Sequence, residues 1–134
     1  MVAGHIGIGR AGEQLARTYL QTKGFEIVST NWRSRKGELD IVCTAKELIL
    51  FVEVKARSGT KQGLPGEALN EKKQKSLVKA ASSYLSRNRL WGRPCRFDFI
   101  AVYFEDEGCS LEHITDVIQF PQAVDRGYSN WQPW

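Results

Sequence analysis

Ten consecutive residues, Leu48-Ile49-Leu50-Phe51-Val52-Glu53-Val54-Lys55-Ala56-Arg57, constrain this chain more than any other stretch. Alternate side chains of a strand point to opposite faces, so Leu48, Leu50, Val52, Val54 and Ala56 share one face. Ile49, Phe51, Glu53, Lys55 and Arg57 take the other. Both faces are apolar through the first half, which predicts a central strand covered on each side. The remaining chain has to supply the rest of a sheet and a layer over each of its faces.

It has the elements to do so. Ala11, Leu15, Ala16, Tyr19 and Leu20 fall at helical spacing and predict a first helix over 9–23, stopped at Gly24. Phe25 to Trp32 reads as a strand that runs into the basic turn Arg33-Ser34-Arg35-Lys36-Gly37. Glu38 to Cys43 alternates, with Leu39, Ile41 and Cys43 on one face and Glu38, Asp40 and Val42 on the other. The glycines and proline of 58–66 mark a mobile loop. Asn70 is a good N-cap for a second helix running to about Ser86, with Leu77, Val78, Ala81, Tyr84 and Leu85 as its apolar stripe. Arg96 to Phe104 is a further strand, and Leu111 to Ile118 a weaker one.

Short connections force the first three strands antiparallel, whereas the route through the second helix is a crossover that allows parallel pairing. The expected fold class is α/β: a mixed central sheet flanked by helices, with an α-β-β-β-α-β core. One domain over 1–120, followed by a loosely ordered tail over 121–134, is the expected organisation.

Composition narrows the partners. The chain has 134 residues, of which 42% are apolar and 25% charged, ordinary for a folded domain that needs no disulfides or structural metal. Its net charge of +4 hides a split. Residues 1–104 hold 18 Lys and Arg against 9 acids, while 105–134 hold one Arg against 6 acids. A basic body suits an anionic partner such as nucleic acid, since neutralised phosphates release counterions. Cys43, Cys95 and Cys109 form no CxxC pair, and the longest apolar runs are far too short to span a bilayer. With no secretory signal at the N-terminus, a cytoplasmic protein with reduced thiols and no membrane association is expected.

Charges on an otherwise apolar strand need a reason. Glu53 and Lys55 project to the same face, and a hairpin turning at Ala45 to Glu47 brings Asp40 beside Glu53. Two carboxylates held close repel unless a cation neutralises them. Mg2+ favours such a site because it takes oxygen ligands, keeps several waters and accepts phosphate as a remaining partner; Mn2+ can replace it. A lysine alongside completes the parts for phosphodiester hydrolysis. The plain alternative is a cross-strand ion pair on a solvated edge. Glu13 can supply a third carboxylate from the first helix, or serve only as an acid favoured by the helix dipole.

These residues fall into a larger pattern. Gly9-Arg10-Ala11-Gly12-Glu13, then Asn31-Trp32-Arg33-Ser34-Arg35-Lys36-Gly37-Glu38-Leu39-Asp40, then Phe51-Val52-Glu53-Val54-Lys55-Ala56-Arg57 resembles the YraN family of predicted endonucleases. These are bacterial relatives of archaeal Holliday-junction resolvases within the PD-(D/E)xK, restriction-endonuclease-like superfamily. The likeness continues through Gly66-Glu67-Ala68 and Lys72-Lys73-Gln74 to Arg96-Phe97-Asp98. The resemblance implies a restriction-endonuclease-like fold and a metal-dependent nuclease acting on DNA, branched or structured DNA included. It makes Asp40 and Glu53 the metal carboxylates, Lys55 the catalytic lysine and Glu13 the helix-one acid that assists. It is compatible with a homodimer and with a DNA-processing partner protein. The segment after Ile114 departs from the family pattern, and Trp131 and Trp134 have no family role.

Around this set, Arg33, Arg35, Lys36, Arg57, Lys73 and Gln74 are candidates for contacting the nucleic-acid backbone, with Lys61 in the nearby loop. Lysines on a helix are otherwise simply a solvated face. Glu38 is either a helper at the metal or a solvated acid, and Trp32 packs in the core or stacks on a base. The GxGxxG spelling at Gly7 to Gly12 has no strand before it, so a dinucleotide site is rejected. His5 and His113 are too scattered for zinc, and His113 is expected to make an ordinary hydrogen bond on a strand. A non-catalytic nucleic-acid-binding module on the same fold, working with a partner protein, is the rival reading.

Overall fold

The apolar run occupies the middle of the sheet. A computed structural model of the protein describes residues 4–59 and 69–118, in the order α1 (Gly4–Thr22), β1 (Glu26–Ser34), β2 (Gly37–Ala45), β3 (Leu48–Ser58), α2 (Glu71–Arg87), β4 (Cys95–Glu105) and β5 (Gly108–Ile114). The strands form one sheet in sequence order, with β3 at its centre. β1, β2 and β3 pair antiparallel, β3 and β4 pair parallel across the α2 crossover, and β5 returns antiparallel to β4. This is the mixed sheet that the connection lengths require. The expected tail over 121–134, Lys61 and most of the 58–66 loop lie outside the described residues. Among the described residues no helix is long and apolar enough to cross a membrane.

Each face of β3 has its own helix. Leu50 and Val52 pack with Ile41, Cys43, Ile100 and Val102 beneath Ala16 and Leu20 of α1. Ile49 and Phe51 pack with Val42 and Phe97 beneath Leu77, Ala80, Ala81, Tyr84 and Leu85 of α2. Full burial of one such aliphatic or aromatic side chain contributes about 1.5–3 kcal/mol, so these two layers hold the helices in place. Gly12 lets α1 come close: a Cβ there would lie 2.6 Å from the Cβ of Ala56. α2 begins where expected, with the side chain of Asn70 accepting the Lys73 backbone N–H at 2.8 Å.

α1 begins at Gly4, ahead of the expected start at residue 9, and two further details differ from the sequence reading. β5 starts at Gly108 and ends at Ile114, instead of spanning 111–118, because a tight turn after Glu105 folds the chain straight back. Residues 108–110 are exposed, so they carry no apolar alternation to announce a strand. Leu39 also changes sides: it packs with Val42 under α2, while Ile41 and Cys43 face α1. Strict alternation fails because the ladder is interrupted at Asp40. Ile41 pairs with Thr30 and Val52, Leu39 pairs with Trp32, and Asp40 between them has no partner in the register of either neighbour.

Candidate active site

The interruption at Asp40 builds the site. The β2–β3 ladder runs from Ala45 opposite Leu48 to Ile41 opposite Val52 and then stops. Past it, the Val54 backbone N–H donates to Asp40 Oδ2 at 2.8 Å. The carboxylate takes up a donor that the next rung of the ladder would have used. The strands part around it, and this brings Asp40 against Glu53, which is only 6% exposed.

Burial pushes the Asp40 carboxyl up to about 7, and the neighbouring Glu53 charge pushes it the same way, against the Val54 N–H and the more distant Lys73. Two acids thus share a space that holds one negative charge comfortably. Lys73, in the first turn of α2, places Nζ 3.1 Å from Glu53 Oε2 and supplies positive charge from the helix side. It lies one helical turn before Leu77, on the stripe that packs against the sheet, so its reach to Glu53 follows from the orientation of α2.

Lys55 lies two residues past Glu53 on the same strand, exposed at the rim, and it forms no ion pair among the described residues. Glu13 stands next to the carboxylate pair. Its Oε1 accepts a hydrogen bond from Asn31 Nδ2 at 3.0 Å. Burial raises its pKa and the negative charges of Asp40 and Glu38 add to the rise, against the Asn31 amide and the positive charge of Arg17. Among the described residues no three His, Cys, Asp or Glu side chains converge closely enough to hold a metal between them. The donor chemistry of the pair nevertheless suits a hard divalent cation: Asp40 and Glu53 offer adjacent carboxylate oxygens that repel each other without positive charge. The Lys73 ammonium provides such charge in its absence.

The other candidates surround this centre unevenly. Arg33 meets Glu38 across the β1–β2 pair at 3.7 Å, so each is partly neutralised by the other. Arg35 and Lys36 are exposed in the hairpin turn, and Arg57 is exposed beyond Lys55 on β3. Lys36 also borders a groove of about 570 Å3 with Val78, Lys79, Ser82, Ser83 and Ser86 of α2. Gln74 Nε2 donates to the Leu69 carbonyl at 2.8 Å, which fixes the chain leading into α2. Trp32 packs edge-on against Tyr84 at 5.2 Å, with the Arg87 guanidinium 5.9 Å above it.

A second polar cluster lies on the α1 face of the sheet. Asp98 is fully buried, yet it receives Arg96 through Nε and Nη2 at 2.8 Å each and the Asp116 backbone N–H at 2.9 Å. His113 Nε2 lies 2.8 Å from Asp98 Oδ2, and the Tyr19 hydroxyl 2.9 Å from Nδ1. Because a carboxylate only accepts, Nε2 carries the proton. His113 therefore ties α1, β4 and β5 together, more than the ordinary strand hydrogen bond expected of it. The spacing of Arg96 and Asp98, two apart on one strand, was the available signal for this pair.

Residues 12–102 match the family model described as "Uncharacterised protein family UPF0102". A "UPF0102 protein" of Nitratidesulfovibrio vulgaris is 39% identical over 134 residues, covering 100% of both chains. A "UPF0102 protein" of Lawsonia intracellularis is 35% identical over 127 residues, covering 95% of this chain and 96% of the relative. One of Syntrophus aciditrophicus is 41% identical over 115 residues, covering 86% and 91%. The matched span includes Glu13, Asn31, Asp40, Glu53, Lys55 and Lys73.

Proposed function

The chain belongs to the UPF0102 family, the YraN family that its motifs resemble, and from that footing we propose that it is a metal-dependent nuclease that hydrolyses DNA phosphodiester bonds. The observation that carries this reading is the Asp40–Glu53 pair: two adjacent carboxylates, held at a break in the sheet with a lysine at the rim that forms no ion pair among the described residues. A purely structural ion pair would neutralise Glu53 and leave no reason for Asp40 to be kept beside it.

In this reading Asp40 and Glu53 hold Mg2+, or Mn2+ in its place, and the ion supplies the concentrated positive charge that phosphodiester hydrolysis needs. The backbone N–H of Val54 fixes one oxygen of the Asp40 carboxylate, and the other would go to the ion. Lys55, exposed at the rim, orients the attacking water and stabilises charge on the phosphate. Lys73 balances Glu53 and is available to phosphate once that charge is met otherwise. Glu13 assists from α1. Arg35, Lys36 and Arg57 hold the backbone of the substrate, with Arg33 and Gln74 at the margins; these contacts position DNA without reading sequence. Branched or structured DNA is the substrate class that the resemblance favours. The free thiols of Cys43 and Cys109 agree with a cytoplasmic setting.

The test is cleavage of labelled junction, flap, single-stranded and duplex DNA with Mg2+ or Mn2+, beside the Asp40→Asn and Lys55→Ala proteins. Wild type should cut at least one of these and both variants should bind without cutting. Binding with no cleavage by wild type would instead favour the non-catalytic module that acts with a partner protein. Cleavage surviving Asp40→Asn would place the site elsewhere.

A further inference from the structure

The backbone of β1 does something unusual beside the carboxylate pair. Asn31 has φ +51°, in the left-handed region, although its neighbours keep strand register, Thr30 opposite Ile41 and Trp32 opposite Leu39. Most L residues avoid this region, and Asn tolerates it better than others. The residue that this skips on β2 is Asp40. Left-handed backbone inside a strand persists only where the surroundings hold it, and such positions cluster at functional sites.

The conformation delivers one specific contact. Asn31 Nδ2 donates to Glu13 Oε1 at 3.0 Å, bridging β1 to α1 across 18 positions of sequence. It is the one hydrogen bond that the Glu13 carboxylate receives among the described residues, so none of these donates to Oε2. Glu13 is itself brought near by Gly12, whose missing side chain lets α1 sit against Ala56 of β3. An amide donor suits this task better than a cation would, because it fixes one oxygen without cancelling the negative charge of the acid.

We propose that Asn31 is a positioning residue for a divalent-cation site: it anchors one oxygen of Glu13 so that the other serves, through a bridging water, the cation held by Asp40 and Glu53. This rests on the nuclease reading above and assigns a role to a residue outside the acid and lysine set. Metal ligands of proteins are commonly held by such partners, and removing one weakens metal binding by about 10- to 100-fold.

The test is a double-mutant cycle on the full chain, read by calorimetric titration with Mg2+ and by urea unfolding without metal. Asn31→Gly accepts the left-handed backbone while deleting the amide, so it should fold at least as stably as wild type. It should weaken Mg2+ binding by about 10-fold. Glu13→Gln should weaken it similarly, and the double variant no further, since both act through one contact. Asn31→Gly binding Mg2+ as wild type does, while Asp40→Asn fails to bind, would overturn this role and leave the nuclease reading standing. Losses that multiply in the double variant would also overturn it. Wild-type Mg2+ affinity in Asp40→Asn would overturn the metal site itself, and this inference with it.

Discussion

Val54 donates its backbone N–H to the carboxylate of Asp40 at 2.8 Å, and this one bond replaces a rung of the β2–β3 ladder with an acidic side chain. The bond holds an acid where its charge is unwelcome: burial and Glu53 raise Asp40 to about 7 in the folded protein. The unfolded value is ordinary, near 4. A raised carboxyl pKa stabilises the fold fully below the unfolded value and loses that contribution as pH rises through the folded one. Metal-free wild type should therefore lose stability between pH 4 and about 7. Above that window Asp40→Asn, which keeps an oxygen to accept from Val54, should be more stable than wild type by on the order of 2 kcal/mol. Urea unfolding in EDTA at pH 5 and pH 8 measures this, and equal stability of the two proteins at pH 8 would count against it. The same variant should cut no DNA, so stability and activity move in opposite directions.

Asp98 should behave with the reverse sign. Burial by itself would raise its pKa, but His113, Arg96 and the Asp116 N–H outweigh burial and draw it below the ordinary carboxylate value. A depressed carboxyl contributes stability above its unfolded pKa and loses it as pH falls toward the folded one. Asp98→Asn should cost about 3 kcal/mol at neutral pH, because Arg96 and His113 lose their shared acceptor, and the gap should close below pH 4. Thermal unfolding from pH 3 to pH 7 reads both parts. A pH-independent difference would mean that shape, and not charge, holds this cluster together.

The close approach of α1 is testable through Gly12. A methyl group there would meet Ala56 Cβ at 2.6 Å, well inside contact distance. Gly12→Ala should destabilise the fold by about 1–3 kcal/mol through this overlap. Adding Ala56→Gly should restore part of the loss, since it removes the opposing atom. If Gly12→Ala alone is neutral in chemical denaturation, the helix has room to move and the position of Glu13 is less strictly fixed than its contacts indicate.

Much of this architecture was legible in the residues. The apolar faces of Leu48 to Val52 required a covered central strand, and the two helices cover it from the predicted sides. Asn70 caps α2 as its residue type suggested. Legibility stopped where tertiary contacts override periodicity. Strict alternation misplaces Leu39, because the Asp40 carboxylate, not a main-chain rung, joins β2 to β3 there. The left-handed Asn31 is only faintly marked, by a residue type that tolerates that region, since its reason is Glu13 on another element. Lys73 was readable in principle: counting back four from Leu77 singles it out among the lysines of α2.

The outer side of α2 gives a prediction about substrate reach. Lys79 lies six residues beyond Lys73, about 9 Å along the helix at 1.5 Å per residue. Across the groove of about 570 Å3 it faces Lys36 of the β1–β2 turn, with Ser82, Ser83 and Ser86 continuing the polar lining. Neither lysine has a carboxylate partner among the described residues, so both charges are available to phosphate. If bound DNA follows α2 away from the carboxylate pair, each lysine neutralises about one phosphate, and replacing it by Gln should reduce the slope of log affinity against log salt by about one. Lys46→Gln, in the β2–β3 turn at the opposite end of these strands, is the control and should leave the slope alone. Anisotropy titrations of a labelled duplex across a range of salt concentrations, with metal withheld, separate the cases. An unchanged slope in the Lys36→Gln, Lys79→Gln protein would route the DNA past Lys55 and Arg57 of β3 instead, leaving the Lys36–Lys79 groove to solvent.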